Sequence, residues 1–183
     1  LSTRGKLTAE AYQALWDLKK NGFRVVPITG RPAGWCDHFA RFWPVDAVIG
    51  ENGAFSFYMD GQKRVRLDTP MGQLKPDQAQ KKLKALSQKI LTRFPGAVWA
   101  SDQPYREFDL AIDICEDVKP WSEDKINELL EFCKEQGAHA KLSSIHVNTW
   151  YGDYDKHSGF THWLGHVGAS LKMPKEQEWL FIG

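Results

Sequence analysis

The stretch Arg24-Val-Val-Pro-Ile-Thr-Gly-Arg-Pro32 limits the possible folds more than any other part of the chain. A β-branched apolar run stops abruptly at Thr29-Gly30-Arg31-Pro32, and a helical pattern follows. This predicts a strand, Phe23–Ile28, that delivers a hydroxyl to the carboxyl edge of a sheet, where open α/β folds bind their ligands. Gly30 lets a ligand approach the backbone closely, and Pro32 suits the first turn of the next helix. A hydroxyl beside the exposed N–H groups of a helix entry suits an anion, phosphate first. The plain alternative is a structural one, since Thr is a competent helix N-cap.

The elements around this stretch set its context. Leu7–Asn21 is predicted helical, with Thr8 as N-cap and Ala11, Leu15 and Leu18 as an apolar stripe; Asn21-Gly22 supplies the stop. A second helix over Pro32–Phe42 places Trp35, Phe39 and Phe42 on one face, and Pro44 ends it. Asp46–Ile49 is a short buried strand. Strand, helix and strand in such tight spacing imply a βαβ unit and a parallel sheet. The turn Gly50-Glu51-Asn52-Gly53-Ala54 then lies on the same edge as Thr29. Phe55–Met59 and Lys63–Leu67 form a hairpin around Asp60-Gly61, read as a type I′ turn.

The rhythm changes at Thr69-Pro70-Met71-Gly72. From Pro76 the order is helix (Pro76–Phe94), two strands (Ala97–Ala100, Phe108–Ile114), helix (Ser122–Gln136) and two strands (Ala138–Ser143, Ile145–Tyr151). This is the pattern of an inserted α+β domain whose antiparallel sheet carries helices on one face. Residues 1–68 and 152–183 are expected to form the core domain and 69–151 the insertion. In the inserted strands Phe108, Leu110, Ile112 and Ile114 alternate with Asp109, Ala111 and Asp113. Ile145, Val147 and Thr149 alternate likewise with His146, Asn148 and Trp150. The polar side is either half solvated or the roof of a substrate cleft. After Asp153 and Asp155 comes Lys156 and a helix to Leu164, and Pro174–Gly183 returns as a buried strand.

Composition removes several function classes. Lys plus Arg number 24 against 23 Asp plus Glu in 183 residues, so charge supports neither a nucleic-acid partner nor a membrane surface. No apolar run approaches the roughly 20 residues of a membrane span. Cys36, Cys115 and Cys133 are odd in number and widely spaced, which fits a reducing cytoplasm better than a disulfide framework. The eight Trp suit core and cleft packing before a sugar-stacking surface. No G-x-S-x-G, Walker A or G-x-G-x-x-G occurs. His162 and His166 share a helix face, but the zinc-protease pattern needs Glu where Trp163 stands. Asp153 and Asp155 have the spacing of alternating loop carboxylates that could bind a metal, but solvated loop positions are the simpler reading, and no metal site is assigned within the chain. The Lys81, Lys82, Lys84 and Lys89 face is read as solvated surface. Lys156 opens a helix, where a cation works against the dipole; Asp155 is its nearest compensation.

Together, Pro27-Ile-Thr-Gly-Arg-Pro32, Asp46–Ile49 leading into Glu51-Asn-Gly-Ala54, an inserted α+β cap and Asp155-Lys156 resemble the haloacid dehalogenase-like phosphatases. The resemblance is to their Cof-like, sugar-phosphate phosphatase branch and covers the whole chain. It implies a Rossmann-like α/β core with a parallel sheet and an α+β cap. It also implies a phosphomonoesterase that uses Mg2+ on a small phosphorylated metabolite.

By the same resemblance, Thr29 matches the hydroxyl that holds the phosphoryl group and Lys156 the lysine that stabilises the nucleophile and the phosphoryl charge. Gly30, Arg31, Asn52 and Gly53 would line that edge, and Arg106, Asp109, Asp113, His146, Asn148 and Trp150 on the cap would select the leaving group. The nucleophilic and acid/base aspartates, in an Asp-x-Asp-x-Thr motif, are expected before Leu1. The acidic Mg2+ loop is expected after Gly183. Both ends are thus read as the interior of a longer protein. A phosphomutase on the same scaffold and a catalytically inactive ligand-binding module are the alternatives.

Overall fold

The computed structural model describes residues 2–3, 6–168 and 179–182, which fall into two compact units. The first takes in the chain up to Thr29, Trp35–Thr69 and the residues from Asp155 onward. The second takes in Gly30–Gly34 and Pro70–Tyr154.

In the first unit, β1 (Ser2–Thr3) and β2 (Lys6–Leu7) make a small antiparallel pair ahead of α1 (Ala9–Lys20). Thr8 caps α1 by accepting from the Ala11 N–H at 3.2 Å, and Gly22 leaves it with φ +81°. Of the expected stripe only Leu15 is buried, while Leu18 is exposed.

The strand expected over Phe23–Ile28 is reduced to one parallel bridge, Ile28 to Ile49 of β3 (Ala47–Gly50). The backbone still runs beside β3: the N–H groups of Asp46 and Ile49 donate to the carbonyls of Val25 and Pro27, and Thr29 N–H donates to Ile49. Two ladder donors are lost along the way. Pro27 has no N–H, and that of Val25 goes to the Asp46 carboxylate at 2.7 Å.

Between these segments lies α2 (Ala33–Phe42), which buries Ala33, Cys36 and Ala40. Trp35 and Phe42, which sequence periodicity groups with Phe39, are exposed. The reason is space. A Cβ on Gly50 would lie 2.7 Å from Cys36 Sγ and 2.4 Å from the Phe55 ring, so the helix meets the sheet through small side chains.

β4 (Phe55–Asp60) and β5 (Lys63–Asp68) extend the sheet antiparallel in the order β3-β4-β5. The hairpin loop is Gly61-Gln62, and only Gly61 has positive φ (+60°). That is the signature of a type II′ turn, not the expected I′. α5 (Lys156–Val167) packs Phe160, Trp163 and Val167 on Ala47 and Ile49, with Val26, Ile28 and Trp179 at the margin. Part of the strand expected over Pro174–Gly183 lies outside the described residues. Its described part, 179–182, carries no strand pairing, and Leu180 and Ile182 are exposed.

The second unit holds an antiparallel sheet of order β6-β7-β9-β8, from β6 (Val98–Trp99), β7 (Asp109–Asp113), β8 (His139–Leu142) and β9 (His146–Trp150). It is backed by α3 (Pro76–Arg93) and α4 (Glu123–Glu135). Leu83, Leu86 and Ile90 of α3 and Leu129 and Cys133 of α4 are buried, as are Ile112 and Val147 of the sheet. Burying such side chains stabilises by about 1.5–3 kcal/mol each before entropy is counted. The lysines of α3 are exposed, as expected of a solvated face. No helix among the described residues is long and apolar enough to cross a membrane.

Candidate active site

Within the first unit, three segments distant in sequence meet at the carboxyl end of β3. Thr29 follows the parallel bridge and is half-buried; its carbonyl accepts from the Asn52 N–H at 3.1 Å. The turn after β3 is buried throughout and bends sharply, with left-handed φ at Glu51 (+42°) and Asn52 (+59°) and φ +111° at Gly53. Left-handed Glu is costly and persists only where its surroundings enforce it. Here Thr69 donates its hydroxyl to the Gly53 carbonyl at 2.6 Å.

The start of α5 closes on the same turn. A Cβ on Gly53 would sit 1.9 Å from the Asp155 carbonyl oxygen and 3.1 Å from the Lys156 nitrogen. One on Gly159 would sit 2.5 Å from the Gly53 oxygen. Two glycines thus let backbone pack on backbone. Asp155 caps the helix in a capping box: its carboxylate accepts from Ser158 N–H at 2.8 Å, and Ser158 Oγ accepts from Asp155 N–H at 2.7 Å. These bonds, the Ser158 N–H first, hold the Asp155 carboxyl below its usual range. Lys156 follows as the first helical residue, exposed, with the carboxylate beside it offsetting its unfavourable position in the dipole. Thr29, Asn52, Gly53 and the Asp155-Lys156 backbone are therefore brought together.

The remaining candidates belong to the second unit. Gly30 and Arg31 lie against Asp102 and Arg106: Arg106 Nη1 donates to the Gly30 carbonyl at 2.9 Å, and Arg31 Nη1 to Asp102 at 3.3 Å. On the sheet, Asp109 is wholly buried between Arg106 and Asn148, whose Nδ2 donates at 3.1 Å. Burial pushes its carboxyl up, against the pull of both partners. Asp113 accepts three backbone N–H bonds, from Cys115, Glu116 and Asp117, and so shapes the turn after β7. His146 Nε2 lies 2.9 Å from Glu116. Trp150 is buried between His139 and Tyr154 and donates Nε1 to the Tyr154 carbonyl at 3.2 Å. Asp109, Asp113, His146, Asn148 and Trp150 are each at most 4% exposed, so this side of the sheet is not half solvated.

Sequence reasoning passed over Glu51, Gly159 and Asp102. A glycine inside a helical pattern is the signal that would have found Gly159; Asp102, in an irregular turn, carried no local signal. Among the described residues no group of three or more His, Cys, Asp or Glu side chains is placed to hold a metal ion. These described residues do not fit Mg2+ by themselves.

No protein-family model matches the chain, and no curated protein does. Solved structures do. A Thermoplasma acidophilum protein aligns with TM-score 0.62 at 15% identity, over 92% of this chain and 65% of its own. The sucrose-phosphatase of Synechocystis, solved with sucrose and phosphate, aligns with TM-score 0.56 at 16% identity, over 90% and 64%. A sugar phosphatase of haloacid dehalogenase subclass IIB aligns with TM-score 0.56 at 13% identity, over 90% and 70%. The chain spans less than two thirds of the length of the first two. At these identities the likeness is one of fold: a haloacid dehalogenase-like α/β core with an α+β cap.

Proposed function

We propose that this chain carries the phosphoryl-holding part of a phosphomonoester hydrolase acting on a sugar phosphate or a similar small phosphometabolite. The observation that carries the reading is the convergence of Thr29, Asn52-Gly53 and Asp155-Lys156 at one end of β3, through glycines that tolerate no side chain. Thr29 would donate its hydroxyl to a phosphoryl oxygen. Lys156 would place an ammonium where negative charge gathers in an in-line transfer, which is worth most when it is positioned beforehand.

Selection of the leaving group is assigned to the second unit's Arg106, Asp109, Asp113, His146, Asn148 and Trp150. Bonded as they are to one another, to Glu116 or to backbone, they would act by shaping the polar side of the sheet. Sugar-phosphate chemistry is favoured by the sucrose and phosphate held by the Synechocystis structure of like fold. Among the described residues no group of three or more His, Cys, Asp or Glu side chains is placed to hold the Mg2+ that the sequence resemblance implies. Three free cysteines suit a reducing, cytoplasmic setting.

The test is turnover of a sugar-phosphate panel by the native protein, with and without Mg2+, monitoring phosphate release. Thr29→Ala and Lys156→Ala should each lower kcat/KM about 100-fold or more. Unchanged activity in both variants overturns the assignment. Return of the phosphoryl group to the sugar in place of phosphate release identifies a mutase.

A further inference from the structure

Within the first unit, α5 turns Phe160, Trp163 and Val167 toward β3 and carries two imidazoles, His162 and His166, on its flank. Residues four apart on a helix are neighbours on its surface. The two rings stand 6.3 Å apart between centroids, with their planes 37° apart. His162 is half-buried and His166 exposed, and among the described residues neither ring makes a hydrogen bond or ion pair. Gly165 lies beside them, and a Cβ built on it would meet nothing within 4 Å, so the space next to the pair is open. Glycine inside a helix is less favourable than alanine, and no close approach explains this one as it does Gly159.

We propose that His162 and His166 form a chelating site for a late divalent transition metal ion of the Cu2+, Ni2+ or Zn2+ class, with water filling the remaining positions. Neutral imidazole nitrogen suits these ions, whereas Mg2+ demands oxygen ligands. Metal–nitrogen bonds of about 2.0–2.1 Å on a tetrahedral ion draw two imidazole centroids to about 5 Å. Closing from 6.3 Å is a movement of about 1 Å, which rotamer motion of an exposed side chain such as His166 supplies. His166 also lies in the last turn of α5, where the negative end of the helix dipole favours a cation.

The same geometry sets what the site can do. The residue after His162 is Trp163, which is wholly buried in the core, so no carboxylate follows the first histidine to act as a base on bound water. Two protein ligands and no base make a clip, not a hydrolytic centre. An ion held by both rings ties two successive turns of α5 together and stabilises the helix in proportion to its occupancy. At 1.5 Å per residue, His162 is about 9 Å along the axis from Lys156, so the clip is separate from the phosphoryl-holding residues and independent of that reading.

Calorimetric titration of the native protein with Cu2+, Ni2+ and Zn2+ should find one site for each ion, tightest for Cu2+. His162→Ala and His166→Ala should each weaken it about tenfold or more, since the second nitrogen of a chelate binds at high effective concentration. The double variant should lose no more than either single one, because one remaining ring cannot chelate. His38→Ala, which removes an exposed imidazole of the same unit, should leave the affinity unchanged. Amide exchange across α5, followed by NMR, should slow on addition of Zn2+ in wild type and in neither single variant, and Mg2+ should slow it in none. Equal affinity in wild type and the single variants, or losses that add in the double variant, overturns the proposal. Should His162→Ala fail to fold, the exposed His166→Ala decides by itself, with His166→Gln as its check on side-chain size.

Discussion

The turn after β3 and the Arg106 cluster are two solutions to one problem, that of holding polar groups out of water in a defined geometry. In the first unit the solution is steric: Gly53 and Gly159 remove side chains so that the start of α5 rests directly on backbone. In the second it is electrostatic, with Asp102, Arg106, Asp109 and Asn148 satisfying one another in the interior. A steric solution has no conservative substitute and does not respond to pH. An electrostatic one fails through unpaired charge, and its failure can be relieved by removing that charge.

Arg106→Ala should therefore have the largest effect, about 3–5 kcal/mol of stability, because it removes the guanidinium that two buried carboxylates share. Its pH dependence is the sharper test. Burial already raises Asp109 in the folded protein, so the folded state holds its proton more tightly than the unfolded chain. Without Arg106 this difference grows, and the deficit against wild type should shrink as pH falls toward the carboxylate range. Urea titrations of both proteins at several pH values check this; a deficit independent of pH would erase the contrast between the two regions.

Gly53→Ala is next, with an expected loss of about 3 kcal/mol from a clash with the Asp155 carbonyl and from φ +111°, at every pH where the wild type is folded. For Gly159→Ala the sign itself is diagnostic. In an open helix interior the change would stabilise by about 1 kcal/mol. Here contact with the Gly53 backbone should reverse this to a loss of about 1–2 kcal/mol, and a raised Tm would show that the two backbones do not meet as described.

Smaller still is Asp155→Ala, which removes the cap of α5 at a cost of about 1 kcal/mol, discounted because the carboxylate is largely exposed. Since the folded protein depresses this carboxyl, its contribution is present above the unfolded value of about 4 and is lost as pH falls through the folded one. Thermal melts of wild type and variant should therefore converge at low pH.

The least perturbing probe is thiol labelling. Cys36 and Cys133 are buried, and burial pushes the Cys133 thiol up to about 11 against a bond with Thr149. A thiol reagent at neutral pH should label Cys115 first and Cys133 only on unfolding. Prompt labelling of Cys133 would show that the core of the second unit opens readily.

Local patterns made much of this molecule legible. Thr8 and Ser122 as caps and the glycines that end helices all act within a few residues of chain, where side-chain chemistry and backbone geometry meet directly. The Thr-Gly-Arg and Asn-Gly-Ala junctions were visible for the same reason, as strand ends that must bend. Periodicity, by contrast, groups side chains without saying which way they face. Trp35 and Phe42 share a face of α2 and point outward because Gly50 and Cys36 leave room only for small side chains. Nor did alternation in β7 and β9 reveal that their polar side chains are buried, since burial depends on what lies over a sheet.

The Phe23–Ile28 strand dwindled to one bridge because Pro27 and the Asp46 carboxylate take away its ladder bonds, and only the second is a matter of tertiary structure. Local chemistry along the chain was enough to expect most of the elements, and with a family resemblance it singled out the Thr29 hydroxyl, Gly53 and Lys156 as candidates. Whether those residues meet, and that Asp102 and Arg106 stand behind Arg31, was settled by contacts between segments far apart in sequence. Only folding brings such charges and backbones within bonding distance.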